Sequence, residues 1–144
     1  LIDHPLTRQF DDYEFRPANA TGEAQDAVTR FRRLATIELP YAVDRYPSSR
    51  YALLELAPLT GRRHQIRRHL KHIAHPIIGD ATYGKGRHNR LFQELFDCHR
   101  LLLACRKMRL MHPVSGSPLT LAAPLAADFS GVLERLGWEL PEGN

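Results

Sequence analysis

Residues 51–76 constrain the fold more than any other part of the chain. Residues 51–57 read Tyr-Ala-Leu-Leu-Glu-Leu-Ala and are closed by Pro58. A run this short between breakers predicts a buried strand rather than a helix. Thr60 and Gly61 follow, a turn whose hydroxyl is placed to cap a helix. Ile66, Leu70 and Ile73 then recur at spacings of four and three, which predicts a helix with one apolar face. Pro76 stops it. Arg63, Arg67 and Lys71 occupy a second line, also four apart. Like charges at that spacing repel by a few tenths of a kcal/mol. A sequence that accepts this cost points to an anion for them to meet. The strand, the glycine turn and the helix start bring backbone N–H groups and the positive end of the helix dipole to one place.

The flanking segments supply the rest of the architecture. Residues 1–24 are polar and contain Pro5, Pro17 and an Asn-Ala-Thr-Gly stretch, so they read as loop or mobile chain. Residues 28–39 are rich in β-branched and aromatic residues and predict one or two strands. Pro47-Ser48-Ser49 marks a turn. Residues 84–89 (Gly-Lys-Gly-Arg-His-Asn) read as a flexible basic loop, and residues 90–96 as a short amphipathic helix. Residues 101–111 predict a strand, 114–117 a hairpin turn and 118–121 a returning edge strand. Asp128 is placed to cap a last helix carrying Phe129, Val132, Leu133 and Leu136, with Trp138 behind it. There are no repeats and no clear linker. The chain therefore reads as one α+β domain over 1–144, with a mainly antiparallel sheet and flanking helices.

Charge narrows the functional class. Lys and Arg number 20 against 16 Asp and Glu in 144 residues, a formal charge of +4. Most of the excess lies in residues 61–85, where Arg62, Arg63, Arg67, Arg68, Lys71 and Lys85 face a single acid, Asp80. A clustered basic patch attracts phosphate backbones. No apolar run approaches the roughly 20 residues of a membrane span, so no membrane partner is expected. Cys98 and Cys105 cannot make a disulfide framework. They read as buried structural thiols in a reducing cytosol.

Most other chemistry fails on spacing. His64, His69, His72 and His75 crowd one helix, but no Cys or carboxylate joins them at ligand spacing, so no metal is expected. A polar helix face near RNA is the better reading of these histidines. The Gly79–Gly86 stretch lacks the spacing and context of a nucleotide loop. No serine sits in a nucleophile elbow. In the run from Thr60 to Leu70, by contrast, Arg62 and Arg67 can engage a phosphate or a buried carboxylate with a two-pronged fork. Gln65 can hold a polar edge.

Thr60-Gly61-Arg62-Arg63-His64-Gln65-Ile66-Arg67, followed by His75-Pro76-Ile77-Ile78-Gly79-Asp80 and Tyr83-Gly84, resembles the C-terminal signature of RluA-type pseudouridine synthases. Leu101-Leu102-Leu103-Ala104 with His112-Pro113 resembles that family's late strand and His-Pro turn. Ile2-Asp3-His4-Pro5-Leu6 resembles the segment after its central Tyr motif, and Ala27-Val28-Thr29 with Phe31 the strand between. Residues 34–40 and 45–51, with the doubled Arg67-Arg68, point to a branch acting on a uridine in the T stem of tRNA. The resemblance implies the pseudouridine synthase fold and isomerisation of uridine to pseudouridine without a cofactor, with the base flipped from its stack. It implies tRNA as partner and an aspartate nucleophile in an Arg-Leu-Asp motif. That motif is absent from residues 1–144. The expectation is therefore a C-terminal part of the catalytic domain, inactive alone, whose other partner is the missing N-terminal half. Arg67 matches the family arginine that pairs with the nucleophile. Arg62, Arg63, His64, Gln65, Arg68, Lys71 and Lys85 are the expected RNA contacts. A basic RNA-binding module without catalysis is the alternative.

Overall fold

A computed structural model describes residues 1–10, 13–15, 18 and 22–141. Ten elements follow one another: β1 (Ile2–Asp3), β2 (Leu6–Thr7), β3 (Ala24–Gln25), β4 (Val28–Leu39), β5 (Ser49–Pro58), α1 (Gln65–His72), α2 (Gly86–Phe96), β6 (Lys107–Met111), β7 (Pro118–Ala122) and α3 (Ala127–Arg135). The fold is α+β and its strand pairs are antiparallel. Among the described residues no helix is long and apolar enough to cross a membrane.

The β4–β5 hairpin is the frame. Its register runs from Thr29 opposite Pro58 to Leu39 opposite Ser49, with an irregularity between Arg33 and Ala35. β1 pairs with the start of β4, giving the order β1-β4-β5. The two ends of the hairpin carry different partners. At the closed end, Ile37, Leu39 and Tyr51 pack on a buried cluster of Phe92, Cys98, Val132 and Leu136, with Trp138 against it. This joins α2 and α3 to the sheet. Each such side chain, when fully buried, contributes about 1.5–3 kcal/mol. At the open end, α1 packs beside Val28 and Thr29, close to β1.

Several local expectations are corrected. Residues 1–8 are paired chain, not loop: Ile2 and Leu6 are buried, and β1 and β2 run antiparallel to residues 23–29. The pairing continues between them through His4 N–H to Ala27 O at 3.1 Å, and beyond them through Arg8 N–H to Glu23 O at 3.0 Å. Pro5, the local breaker, only removes one donor from this ladder. Within the 1–24 expectation, residues 11, 12, 16, 17 and 19–21 lie outside the described residues. Residues 86–89 belong to α2 and are not a flexible loop. The 101–111 strand shortens to β6, because Leu102 N–H bonds Ile78 O at 2.9 Å and Leu102 packs on the core. Neither Thr60 nor Asp128 caps a helix. Ala126 starts α3, and Asp128 accepts from Arg100 Nη1 at 2.8 Å. Cys98 is buried, whereas Cys105 is exposed.

Candidate functional site

The open end of the hairpin holds α1 by a chain of hydrogen bonds in which every donor is used. Val28 N–H donates to Thr60 Oγ at 2.9 Å, and Thr60 O–H donates to Gln65 Oε1 at 2.7 Å. Arg62 N–H also donates to Gln65 Oε1, at 3.0 Å. The Gln65 amide nitrogen donates to Val28 O and Thr29 Oγ, both at 3.0 Å. His69 stands 2.8 Å from Thr29 Oγ through Nδ1 and 2.9 Å from His4 O through Nε2. The carbonyl can only accept, so Nε2 carries the hydrogen and Thr29 O–H donates to Nδ1. Gln65 and His69 are buried. Gln65, expected as an RNA contact, is thus turned inward with its amide engaged inside the protein, and His69 is a core residue rather than part of a polar face. Thr60 acts on the Gln65 side chain, and the helix begins one turn later, after His64 in the left-handed region at φ 52°.

This anchoring aims Arg67 at Asp80. Nε donates to Oδ2 and Nη2 to Oδ1, each at 2.8 Å, in a two-pronged pair. Asp80 Oδ1 also accepts from Thr82 N–H at 3.0 Å and Tyr83 N–H at 2.9 Å. The Arg67 fork, then the two backbone N–H groups, outweigh desolvation and pull the Asp80 carboxyl down to about 2. In return Asp80 raises the Arg67 guanidinium above its usual value. The Asp80 side chain has no exposed surface, while Arg67 retains 19%. Asp80 is therefore a buried, fixed anion that accepts four hydrogen bonds, unsuited to attack. Among the described residues no hydrogen bond engages Arg67 Nη1, and the side chain is partly exposed. It can hold a second carboxylate or a phosphate.

The Gly79–Asp80 turn is clamped in its turn. Asn89, on α2, accepts from Gly79 N–H at 2.8 Å and donates to Asp80 O at 3.1 Å. Gly79 sits at φ 83°, and a Cβ there would fall 1.8 Å from Arg100 O. Only glycine fits. Asn89 was not singled out by its sequence context, because nothing local ties it to a turn ten residues away.

Beside Arg67 opens a cleft of about 450 Å³ lined by Arg8, Gln9, Phe10, Arg63, His64 and Tyr83, with Thr82. Tyr83 lies under two cations, with Arg67 Cζ 5.0 Å and Lys71 Nζ 5.9 Å from the ring centre. Its hydroxyl donates to Gln9 Oε1 at 3.2 Å and meets His64 Nδ1 at 3.1 Å. Burial, then the Arg67 and Arg63 charges, push the His64 imidazole below its usual value. A positive, aromatic-walled cleft suits a nucleotide: cations for phosphate, rings for a base.

The expected RNA contacts divide. Arg63 and His64 line the cleft, and Lys71 reaches over Tyr83 beside it. Arg62 and Arg68 spend part of their forks inside the protein, on Asp26 O at 2.9 Å and Thr7 O at 2.8 Å. Arg63 Nη1 likewise bonds Phe10 O. These arginines fasten the N-terminal chain to α1, a role with no local sequence signal. Lys85 is exposed, before α2. Of the other histidines, His72 stacks on His4 with ring centres 3.5 Å apart, and His75 is exposed.

A family profile described as RNA pseudouridylate synthase matches residues 2–72, from β1 through α1. Over 144 residues the chain is 49% identical to tRNA pseudouridine synthase C of Pectobacterium carotovorum subsp. carotovorum, covering 99% of this chain and 38% of that protein. It is 45% identical over 139 residues to tRNA pseudouridine synthase C of Vibrio cholerae, covering 57% of it. The solved structure of human RNA Pseudouridylate Synthase Domain Containing 4 superposes with a TM-score of 0.62 at 28% identity, over 98% of this chain and 57% of that one. The chain thus spans roughly two-fifths to three-fifths of the proteins it matches. The chain is thus similar to RNA pseudouridylate synthases: the family profile takes in the β4–β5 hairpin and the helix that carries Arg67, and the relatives match over nearly the whole chain.

Proposed function

We propose that this chain is the C-terminal, arginine-bearing part of a tRNA pseudouridine synthase of the RluA type, and that it works on a uridine of the T stem. The single observation that supports this best is Arg67, held rigidly by Asp80 through one edge and left with Nη1 for another anion. In the reaction, that anion is a nucleophilic aspartate supplied by a segment outside this chain. A neighbouring guanidinium keeps such a carboxylate ionised and oriented. The cleft by Tyr83 and His64 takes the flipped nucleotide, with Arg63 and Lys71 on its phosphates. The N1–C1′ bond breaks, the base turns and C5 bonds to C1′; the C5 proton passes to solvent and N1 takes up a proton, so the product is an isomer. Asp80 takes no part beyond holding Arg67.

The test is tritium release from C5-labelled uridine in unmodified tRNA. The expected result is no release by residues 1–144 alone and release once the complementary N-terminal half of a relative is added. Arg67→Ala in that mixture is expected to lower the rate by about 100-fold or more. Release by the chain alone overturns the assignment of the nucleophile to an outside segment. Salt-dependent tRNA binding with no release from either sample favours the RNA-binding module.

A further inference from the structure

On the other side of α2, the β4–β5 connection forms a second basic and aromatic surface. Tyr41, Arg45 and Tyr46 are exposed on it, Tyr46 at 59%. Both tyrosines leave a large part of their surface open to solvent. The Arg45 guanidinium lies 5.0 Å from the Tyr46 ring centre and donates to its hydroxyl at 2.9 Å. Lys85 and Arg87, exposed at the start of α2, add charge close enough to act on Asp44.

The connection is built, not slack. At its base Ser49 O–H donates to Tyr41 O at 2.7 Å and Tyr41 N–H to Leu39 O at 2.8 Å. At its tip Asp44 Oδ2 stands 3.0 Å from His88 Nε2, and His88 Nδ1 stands 2.8 Å from the Tyr51 hydroxyl. Asp44 is the only acid in residues 40–48, and it is tied to His88 through Oδ2 while its side chain stays partly exposed. Glu38, just below, accepts from Ser48. Each nearby carboxylate thus has a partner, and on this surface three cations (Arg45, Lys85 and Arg87) and two rings outnumber the one acid of the connection, the partly exposed Asp44. Neighbouring residues of α2 point opposite ways: His88 fastens this connection, and Asn89 fastens the turn carrying Asp80.

We propose that the Tyr41–Tyr46 connection, with Lys85 and Arg87, is a second RNA-binding surface, on which unpaired bases stack on Tyr46 and Tyr41 while Arg45 and the α2 cations meet phosphates. It deepens the reading of the chain as tRNA-binding and rests on it. An exposed Arg–Tyr stack is a ready platform, since a base can take the place of the guanidinium over the ring. An acidic protein segment would use the cations but not the open rings, which is why RNA is the better fit.

The test measures binding of unmodified tRNA to the whole chain across a range of salt, for the native protein, Arg45→Ala with Tyr46→Ala, and Arg63→Ala with Lys71→Ala. Both pairs lie on the surface, and thermal melting checks that each variant is folded. The expected result is about tenfold weaker binding for the Arg45/Tyr46 variant. Its salt slope should be shallower by about one phosphate contact. Tyr46→Phe, which keeps the ring, is expected to bind like the native chain. Native affinity in the Arg45/Tyr46 variant, with a loss in the Arg63/Lys71 variant, overturns this surface and leaves the proposed function standing. No tRNA binding by the native chain overturns both.

Discussion

Asp80 stands out in the sequence, but its partner does not. It is the only acid among the basic residues 61–85, so a pairing with one of those cations was visible from composition alone. Which cation was not: the family likeness assigned Arg67 to a carboxylate outside the chain, whereas the fold gives its Nε–Nη2 edge to Asp80. The pair has a consequence for acid stability. Folding lowers the Asp80 carboxyl from 3.8 to about 2. A depressed carboxylate stabilises above its unfolded value and loses that contribution as pH falls through the folded one. The contribution is about 2 kcal/mol, full above roughly pH 5 and gone near pH 2. Asp80→Asn removes it and leaves Arg67 without its counter-charge. Urea melts at pH 7 should show a loss of about 2–3 kcal/mol, at the lower end for a broken pair because Arg67 is partly solvated. The difference between variant and native protein should shrink as pH falls from 5 to 2. A difference that stays constant over that range means the pair carries no charge-dependent stability.

At the scale of elements, the sequence is legible where a periodic signal is local. β4, β5, the β6–β7 hairpin and the apolar face of α3 follow from patterns a few residues long. Errors fall where a distant group decides. Pro5 reads as a breaker, yet residues 23–29 supply the partner that makes β1 and β2. Gly84 and Gly86 read as slack, yet His88 and Asn89 each find a partner and hold α2 regular to its first turn. Thr60 has the chemistry of a cap, but the Gln65 side chain, five residues on, takes its hydroxyl. Asn89 makes the linkage between elements testable. It is the one side chain that joins α2 to both Gly79 N–H and Asp80 O. Asn89→Ala should cost about 1–3 kcal/mol by leaving a backbone group unpaired. In the reconstituted enzyme it should also slow tritium release, although Asn89 touches neither Arg67 nor the cleft. Asn89→Asp tests the donor separately: it keeps the acceptor for Gly79 but loses the bond to Asp80 O. If release is unchanged in both variants at a temperature where they are folded, the turn does not need this clamp to aim Arg67.

At the scale of the whole molecule, the apolar surface is unevenly spent. The β4–β5 hairpin is covered at one end by α2 and α3 and at the other by α1. The β6–β7 hairpin forms a two-stranded sheet of its own. Its register sets Met108 opposite Leu121 and Leu110 opposite Leu119, so all four side chains share one face. That face stays largely open, with Met108 at 53% and Leu121 at 49% exposure, while Leu110 and Leu119 are half-buried. An isolated two-stranded hairpin is marginal in water, and an apolar face of this kind is uncommon on a free surface. The expected outcome is strong enhancement of the fluorescence of an apolar dye such as anilinonaphthalene sulfonate by the native chain at neutral pH. Met108→Lys with Leu121→Lys should remove most of that enhancement, because the change puts two charges on the strip that binds dye. It should leave the thermal midpoint nearly unchanged, since neither side chain belongs to the buried cluster around Phe92. Dye binding that persists in the double variant would place the open apolar surface elsewhere. A large fall in midpoint would mean that the hairpin face is packed in solution and contributes to the core after all.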